Sequence, residues 1–210
     1  MRPNNTRKLM KTGRLFTNVV WPRISPLLGG GKYSSVEYEH QTRLERWIDR
    51  GAGIDGFFIE PFDYSKIGIA SRVQRAKKPH NSFTIRYRRI SGGRTEWHKR
   101  TKALNGRFRK RLFPELTVEA YVTRDGKKLL TAGIVRTKAL FEYAQRWLGK
   151  DRSDRLYIDA FHYDRNEFLV IPWLGLAEEG VVVSVWPYAD PTDRLKHSPI
   201  YTGFEHAGAA

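Results

Sequence analysis

The sequence LTVEAYVTRDGKKLLTAGIV, residues 116–135, predicts a β-hairpin in the second half of the chain. Both ends of this stretch are rich in apolar and β-branched side chains, which favour strands. Asp125-Gly126 at its centre is typical of the tight turn that joins two antiparallel strands. The hairpin indicates that a β-sheet runs through this part of the chain.

The residues that follow the hairpin continue a mixed pattern of helix and strand. Apolar side chains recur at helical spacing in residues 137–149, and Gly149 supplies a stop signal. Residues 155–163 and 167–173 indicate a second hairpin, and residues 181–188 add a last strand.

The residues that precede the hairpin predict further elements. A Ser34-x-x-Glu37 capping box, followed by apolar residues at helical spacing, predicts a helix over residues 35–50. We expect strands over residues 54–60, 67–75 and 83–90, and a short helix over residues 94–104.

This order of elements predicts a single α/β or α+β domain, with a central mixed β-sheet flanked by helices and β-hairpins in the C-terminal half. We expect the domain to span residues 34–187. Residues 1–33 are interpreted as a basic N-terminal arm, because Pro22 and Pro26 interrupt any amphipathic helix there. Residues 188–210 are expected to form an irregular C-terminal tail.

The composition indicates a folded protein that contains no thiol chemistry. The chain has 210 residues, of which 40% are hydrophobic and 13% aromatic, enough to bury a core. The absence of Cys excludes disulfides, thiolate metal sites and cysteine nucleophiles. The sequence shows neither an apolar run of membrane-spanning length nor a secretory signal. We therefore expect a cytoplasmic protein, with organellar import through the acid-free residues 1–36 as an alternative.

Positive charge is concentrated in residues 66–111, here called the basic segment. It holds 16 Lys or Arg and one acid, whereas the whole chain has a net charge of +16. Such a cluster repels itself and indicates a polyanionic partner. Its basic residues fall largely on predicted strands, whereas membrane surfaces favour basic amphipathic helices. The sequence therefore predicts binding to nucleic acid, with DNA as the expected form, and no membrane partner.

Two strands of the basic segment are expected to form one cationic sheet face. In residues 81–90 apolar side chains alternate with Arg86 and Arg88, and residues 66–75 show a similar alternation. Neighbouring strands of this kind would offer a broad surface to a sugar-phosphate backbone. We predict nucleic-acid contacts by Arg72, Gln74, Arg86, Arg88, Lys99, Arg100, Arg107, Arg109, Lys110 and Arg111.

The helix predicted over residues 94–104 carries Glu96, the sole acid of the basic segment. We expect Glu96 to pair with Lys99 or Arg100 one turn further on. Trp97 either anchors this helix to the sheet or offers a stacking surface to bases.

Three acids next to the basic segment are candidates for metal-dependent chemistry. Nucleases of this type bring two or three carboxylates together on Mg²⁺. Asp55 and Glu60 point to opposite faces of a regular strand, so a bulge or an early strand end is needed to bring them together. Asp63 either joins them or caps the turn before Ser65. The candidate catalytic residues of this group are Asp55 and Glu60, which are also the candidate ligands of Mg²⁺.

The order of a helix, a strand with Asp55, two further strands and a helix resembles the core of PD-(D/E)xK restriction-endonuclease-like phosphodiesterases, over about the middle third of the chain. The resemblance implies that Asp55 is the metal-binding Asp of that family. It also implies that Glu37 or Glu39 supplies the auxiliary carboxylate. The family's Glu-x-Lys pair has no counterpart, and Arg72 and Gln74 stand nearest to it.

These observations lead to two hypotheses about function. The first is a nucleic-acid-binding protein, either a Mg²⁺-dependent DNA nuclease of restriction-like fold or an inactive relative. The alternative is a non-catalytic interaction or inhibitory protein of a phage, mobile-element or ribonucleoprotein complex. Such a protein would use its basic face against RNA or an acidic protein partner.

Overall fold

The computed structural model describes residues 13–36, 42–105, 113–161, 166–181 and 183–187. The strands of this part are β1 (Lys32–Ser35), β2 (Gly56–Ile59), β3 (Lys66–Arg75), β4 (Ser82–Arg89), β5 (Leu116–Val122), β6 (Leu129–Arg136), β7 (Tyr157–Phe161), β8 (Asn166–Pro172) and β9 (Val183–Trp186). The α-helices that follow β1 are α1 (Arg43–Trp47), which continues as a π-helical turn at Ile48–Ala52, α2 (Glu96–Asn105), α3 (Thr137–Trp147) and α4 (Trp173–Glu178). Three short helical turns precede them and are called the N-terminal helical segment: Phe16–Val20, Trp21–Ile24 and Ser25–Leu28.

The strands form two sheets. The larger sheet has the order β1-β2-β3-β5-β6-β9, and the smaller has the order β4-β8-β7. All pairs are antiparallel except β3 and β5, which are parallel. The predicted mixed α/β class is confirmed, but two sheets stand where one central sheet was expected. The chain between the parallel strands β3 and β5 carries β4 and α2, because a parallel pair requires a crossover connection.

The two predicted hairpins are confirmed as the pairs β5–β6 and β7–β8. At the β5–β6 turn, Asp125 Oδ1 accepts hydrogen bonds from Thr123 Oγ1 at 2.5 Å and from the Lys127 N–H at 3.1 Å. Gly126 has a φ of 76°, a conformation that glycine adopts without steric cost. The local turn chemistry therefore fixes the register of this hairpin.

The N-terminal helical segment belongs to the folded core, although the sequence placed it in a basic arm ending at residue 33. Pro22 and Pro26 occupy first-turn positions of their helical turns, where the missing N–H has no partner to lose. The prolines therefore do not prevent helix here. Buried side chains recur every four residues in this segment: Phe16, Val20, Ile24 and Leu28.

The helix expected over residues 35–50 starts later than predicted. Ser35 belongs to β1, and α1 begins at Arg43. The capping box is formed by Thr42 and Glu45: the Glu45 N–H donates to Thr42 Oγ1 at 3.2 Å, and the Thr42 N–H donates to Glu45 Oε2 at 2.7 Å. The predicted start of the helix is therefore wrong. The sequence holds two similar capping-box patterns, at Ser34 and at Thr42, and the helix begins after the second.

Hydrophobic cores cover both faces of the larger sheet. One core packs the N-terminal helical segment against a face that includes Val118 and Ala120. The other packs α3, α4 and the smaller sheet against the opposite face, which includes Tyr121. Since side chains alternate along a strand, Glu119 points with Tyr121 toward the smaller sheet. Among the described residues, the helices are too short and too polar to span a membrane.

Candidate functional site

The basic strands β3 and β4 lie in different sheets. β3 lies between β2 and β5, whereas β4 pairs with β8 and places Arg86 opposite Phe168. No strand pairing therefore joins the two basic strands. The prediction of one cationic sheet face is wrong for its four strand residues, Arg72, Gln74, Arg86 and Arg88.

Arg72 points into the space between the two sheets and pairs there with Glu96. Its Nη2 lies 2.7 Å from Glu96 Oε2, and Arg100 Nη2 lies 3.2 Å from Glu96 Oε1. The Arg100 side chain is only 7% exposed, and those of Arg72 and Glu96 are 25% and 21% exposed. The predicted pairing of Glu96 with Arg100 is confirmed, and Arg72 is a second partner that the sequence did not reveal.

Glu119 of β5 completes this arrangement from the larger sheet. Its Oε1 accepts hydrogen bonds from Gln74 Nε2 at 2.6 Å and from Thr84 Oγ1 at 2.9 Å, and its Oε2 accepts one from the Thr84 N–H at 3.1 Å. Arg72 Nη1 donates to the same Thr84 hydroxyl at 3.2 Å. These hydrogen bonds link β3, β4, β5 and α2. We call the linked residues the inter-sheet network: Arg72, Gln74, Thr84, Glu96, Arg100 and Glu119.

Burial and nearby cations act in opposite directions on the acids of this network. Burial raises the pKa of Glu119 to about 7, although the charge of Arg72 and the bond from Gln74 act to lower it. Burial also acts to raise the pKa of Glu96, but Arg100 and Arg72 outweigh it and hold that pKa below its usual range. Glu96 is therefore the ionised partner of the two guanidinium groups.

Asp55 lies immediately before β2, and its carboxylate accepts hydrogen bonds from β3. Its Oδ2 accepts hydrogen bonds from the Ser71 N–H at 2.5 Å and from Ser71 Oγ at 3.3 Å. Burial raises the pKa of Asp55 to about 7, against the lowering effects of the Ser71 hydrogen bond and of Arg100. Glu60 lies just beyond the other end of β2, roughly 16 Å away at a strand rise of about 3.3 Å per residue. The strand therefore keeps Asp55 and Glu60 apart.

The remaining candidate acids do not complete a metal site in the described part of the chain. Asp63 Oδ1 accepts a hydrogen bond from the Ser65 N–H at 2.8 Å, which confirms the turn-capping alternative. Glu37 and Glu39 lie outside the described residues. Within the ranges that the structure describes, no three His, Cys, Asp or Glu residues form a group able to hold a metal ion.

Trp97 anchors α2 to the core. It is 8% exposed, stacks on Phe141 of α3 at a centroid distance of 5.7 Å, and meets Tyr87 of β4 edge-on at 5.9 Å. The structural alternative for Trp97 is therefore confirmed, and its ring offers no surface to a base.

Most cations of the basic segment face solvent. Arg72 and Arg86 are half-buried and Arg100 is buried, and the Arg86 guanidinium lies over the Phe168 ring at 5.6 Å. Arg107, Arg109, Lys110 and Arg111 lie outside the described residues. The other nine Lys and Arg of the segment are exposed: Lys66, Arg75, Lys77, Lys78, Arg88, Arg89, Arg94, Lys99 and Lys102.

Five of these exposed cations lie along the end of β4, the short link to α2 and α2 itself, with Lys102 in the last turn of that helix. Thr95 Oγ1 donates to the Tyr87 carbonyl at 2.8 Å, which ties the start of α2 to β4. The Arg88 guanidinium lies 4.8 Å from the centre of the Tyr87 ring. We call this area the β4–α2 basic surface, defined by Arg88, Arg89, Arg94, Lys99 and Lys102.

The chain was compared with protein-family models, with curated proteins and with solved structures. None of them matches. The resemblance to restriction-endonuclease-like phosphodiesterases therefore stays a prediction, and the function is argued from the geometry alone.

Proposed function

We propose that the protein binds nucleic acid and that the β4–α2 basic surface contacts its phosphates. The observation that carries the proposal is the inward position of Glu96. Glu96 is the only acid of the basic segment, and Arg72 and Arg100 neutralise it between the sheets. The one acid of the segment is therefore committed to these two guanidinium groups, while Arg88 of the β4–α2 basic surface lies 3.8 Å from Glu167 Oε2 on β8.

A polyanion fits this surface for two physical reasons. Exposed like charges repel one another and raise the free energy of the folded state, and bound phosphates relieve that repulsion. Lys and Arg that neutralise phosphates also release condensed counterions, which favours binding at low salt. Arg88 and Arg89 add planar guanidinium groups that can hold a phosphate with two parallel hydrogen bonds.

The salt dependence of DNA binding tests this proposal. We expect the slope of log K against log salt concentration to become less steep by about three to four when four surface cations are replaced, since each phosphate contact contributes about 0.9. The measurement is fluorescence anisotropy on a duplex of about 20 base pairs and on RNA of equal length. The tested variant is Arg88→Ala, Arg89→Ala, Lys99→Ala and Lys102→Ala.

A variant with the same loss of charge elsewhere provides the control. It replaces four exposed cations from other elements: Arg23→Ala, Lys32→Ala, Lys138→Ala and Lys150→Ala. The control is expected to keep most of the wild-type slope. Equal slopes for both variants would contradict the proposal, and so would a wild-type protein that binds neither polymer. Purification of the wild type with an acidic protein and without nucleic acid would favour the interaction-protein alternative.

The proposed function stops at binding. Asp55 and Glu60 lie at opposite ends of β2, and the guanidinium of Arg72 already neutralises Glu96. We therefore expect no Mg²⁺-dependent cutting of supercoiled plasmid. The nuclease hypothesis would be restored if the wild type cuts the plasmid and the Asp55→Asn variant does not.

A further inference from the structure

A second group of exposed cations lies at the other end of β4. It is formed by the loop between β3 and β4 and by the turn between β5 and β6. These two loops meet because β3 and β5 are parallel, so that their C-terminal ends lie at the same edge of the larger sheet. We call this area the hairpin-end basic surface, defined by Arg75, Lys77, Lys78, Arg124, Lys127 and Lys128.

One backbone and one side-chain hydrogen bond hold the two loops together. The Ala76 N–H donates to the Val122 carbonyl at 2.8 Å, and Arg75 Nη1 donates to the Arg124 carbonyl. The turn itself is closed by the Thr123 N–H, which donates to the Lys128 carbonyl at 2.8 Å. The cations therefore stand on a scaffold that is already ordered, which lowers the entropy cost of binding.

The charge of this surface is compensated only in part, by the carboxylate of Asp125, which interacts electrostatically with Lys127. All six cations are exposed, and none of them forms an ion pair with a described residue. The one acid of the two loops, Asp125, accepts hydrogen bonds from Thr123 Oγ1 and the Lys127 N–H and so belongs to the turn.

The surface is separate from the β4–α2 basic surface. The eight residues of β4 lie between them, a distance of roughly 23 Å at a strand rise of about 3.3 Å per residue. Membrane binding usually requires bulky apolar side chains among the cations. The exposed large apolar side chains of the described residues lie elsewhere, and residues 75–80 and 123–128 contribute none of them.

We infer that the hairpin-end basic surface is a second phosphate-binding site, which contacts the backbone of the nucleic acid independently of the β4–α2 basic surface. This inference rests on the proposed function, because it takes the same class of polyanion as ligand. Each bound phosphate adds about 0.9 to the salt slope, so both sites contribute to the slope of the wild type.

The test uses the whole chain with Lys77→Ala, Lys78→Ala and Lys127→Ala, compared with a matched control of Arg23→Ala, Lys32→Ala and Lys138→Ala. On the same duplex, we expect the salt slope of the tested variant to be less steep than that of the wild type by about two to three. The slope of the control should change little. Exposed Lys→Ala changes away from the core leave the fold intact. Circular dichroism and the midpoint of thermal unfolding check this for both variants.

The outcomes separate this inference from the proposed function. A reduced slope in both the hairpin-end variant and the β4–α2 variant supports both sites. A wild-type slope in the hairpin-end variant alone overturns the second site and leaves the proposed function standing. A reduced slope in the hairpin-end variant alone supports the second site and overturns the β4–α2 assignment. Binding to anionic lipid vesicles without binding to the duplex overturns both.

Discussion

Replacing Glu119 with Gln tests the charge balance of the inter-sheet network. Glu119 is 1% exposed, and burial raises its pKa from an ordinary value of 4.5 to about 7. The folded protein therefore keeps a proton on Glu119 at pH values where the unfolded chain has released it. As the pH rises through about 7, the folded state must accept a buried negative charge and loses stability relative to the unfolded chain.

The expected loss of stability follows from the shift in the pKa of Glu119. A rise from 4.5 to about 7 corresponds to about 3 kcal/mol in full, and most of this stability is lost between pH 5 and pH 8. Gln cannot ionise, and its side-chain oxygen can still accept the hydrogen bond from the Thr84 N–H. The variant should therefore lose about 2–3 kcal/mol less stability than the wild type over this pH range. Asp55, whose pKa burial also raises to about 7, keeps its own contribution in both proteins.

Urea denaturation at a series of pH values measures this difference. As the pH rises from 5 to 8, the free energy of unfolding of the wild type should fall further than that of Glu119→Gln. The difference between the two proteins should therefore change steadily over this pH range. Glu142→Gln, at a side chain that is 52% exposed on α3, is the control and should follow the wild type. Parallel curves for wild type and Glu119→Gln would show that Glu119 is ionised throughout and that the reasoning from burial is incorrect.

Three further substitutions probe the packing around the site. Arg72→Ala leaves Glu96 with one guanidinium partner and should lower the free energy of unfolding by about 2–3 kcal/mol in urea denaturation, against less than about 1 kcal/mol for the exposed Arg88→Ala. Trp97→Ala should cost about 3–5 kcal/mol, because its ring fills the space beside Phe141, and a thermal melt unchanged from wild type would contradict that packing. Gly133→Ala would place a Cβ 2.6 Å from the ring of the fully buried Trp173, so calorimetry should show a loss of about 1–3 kcal/mol.

Sequence reasoning succeeded where the signal is local. The β5–β6 hairpin was predictable from Asp125-Gly126, and α3 from its helical spacing and Gly149. The Glu96–Arg100 pair was predictable because residues four apart face each other on a helix. Each of these features depends on residues less than about ten positions apart in the chain.

The features that failed depend on distant contacts or on a choice between similar signals. Nothing near β4 indicates that its partner is β8, so the two basic strands were placed in one sheet. Thr42 and Ser34 both begin a capping-box pattern, and local sequence does not decide between them. Glu119 was overlooked, although a lone acid in the otherwise apolar strand β5 is a recognisable sign of a buried polar contact.

The pairing of β4 with β8 has a consequence for how the chain folds as it is made. Ile85 lies opposite Leu169, so more than eighty residues must be added after the arginine-rich strand before its only described partner strand exists. At a synthesis rate of roughly 5–20 residues per second, that interval lasts about 4–16 s. During it, β4 lacks its strand partner, and its contacts are limited to elements made before β8, such as β3, β5 and α2.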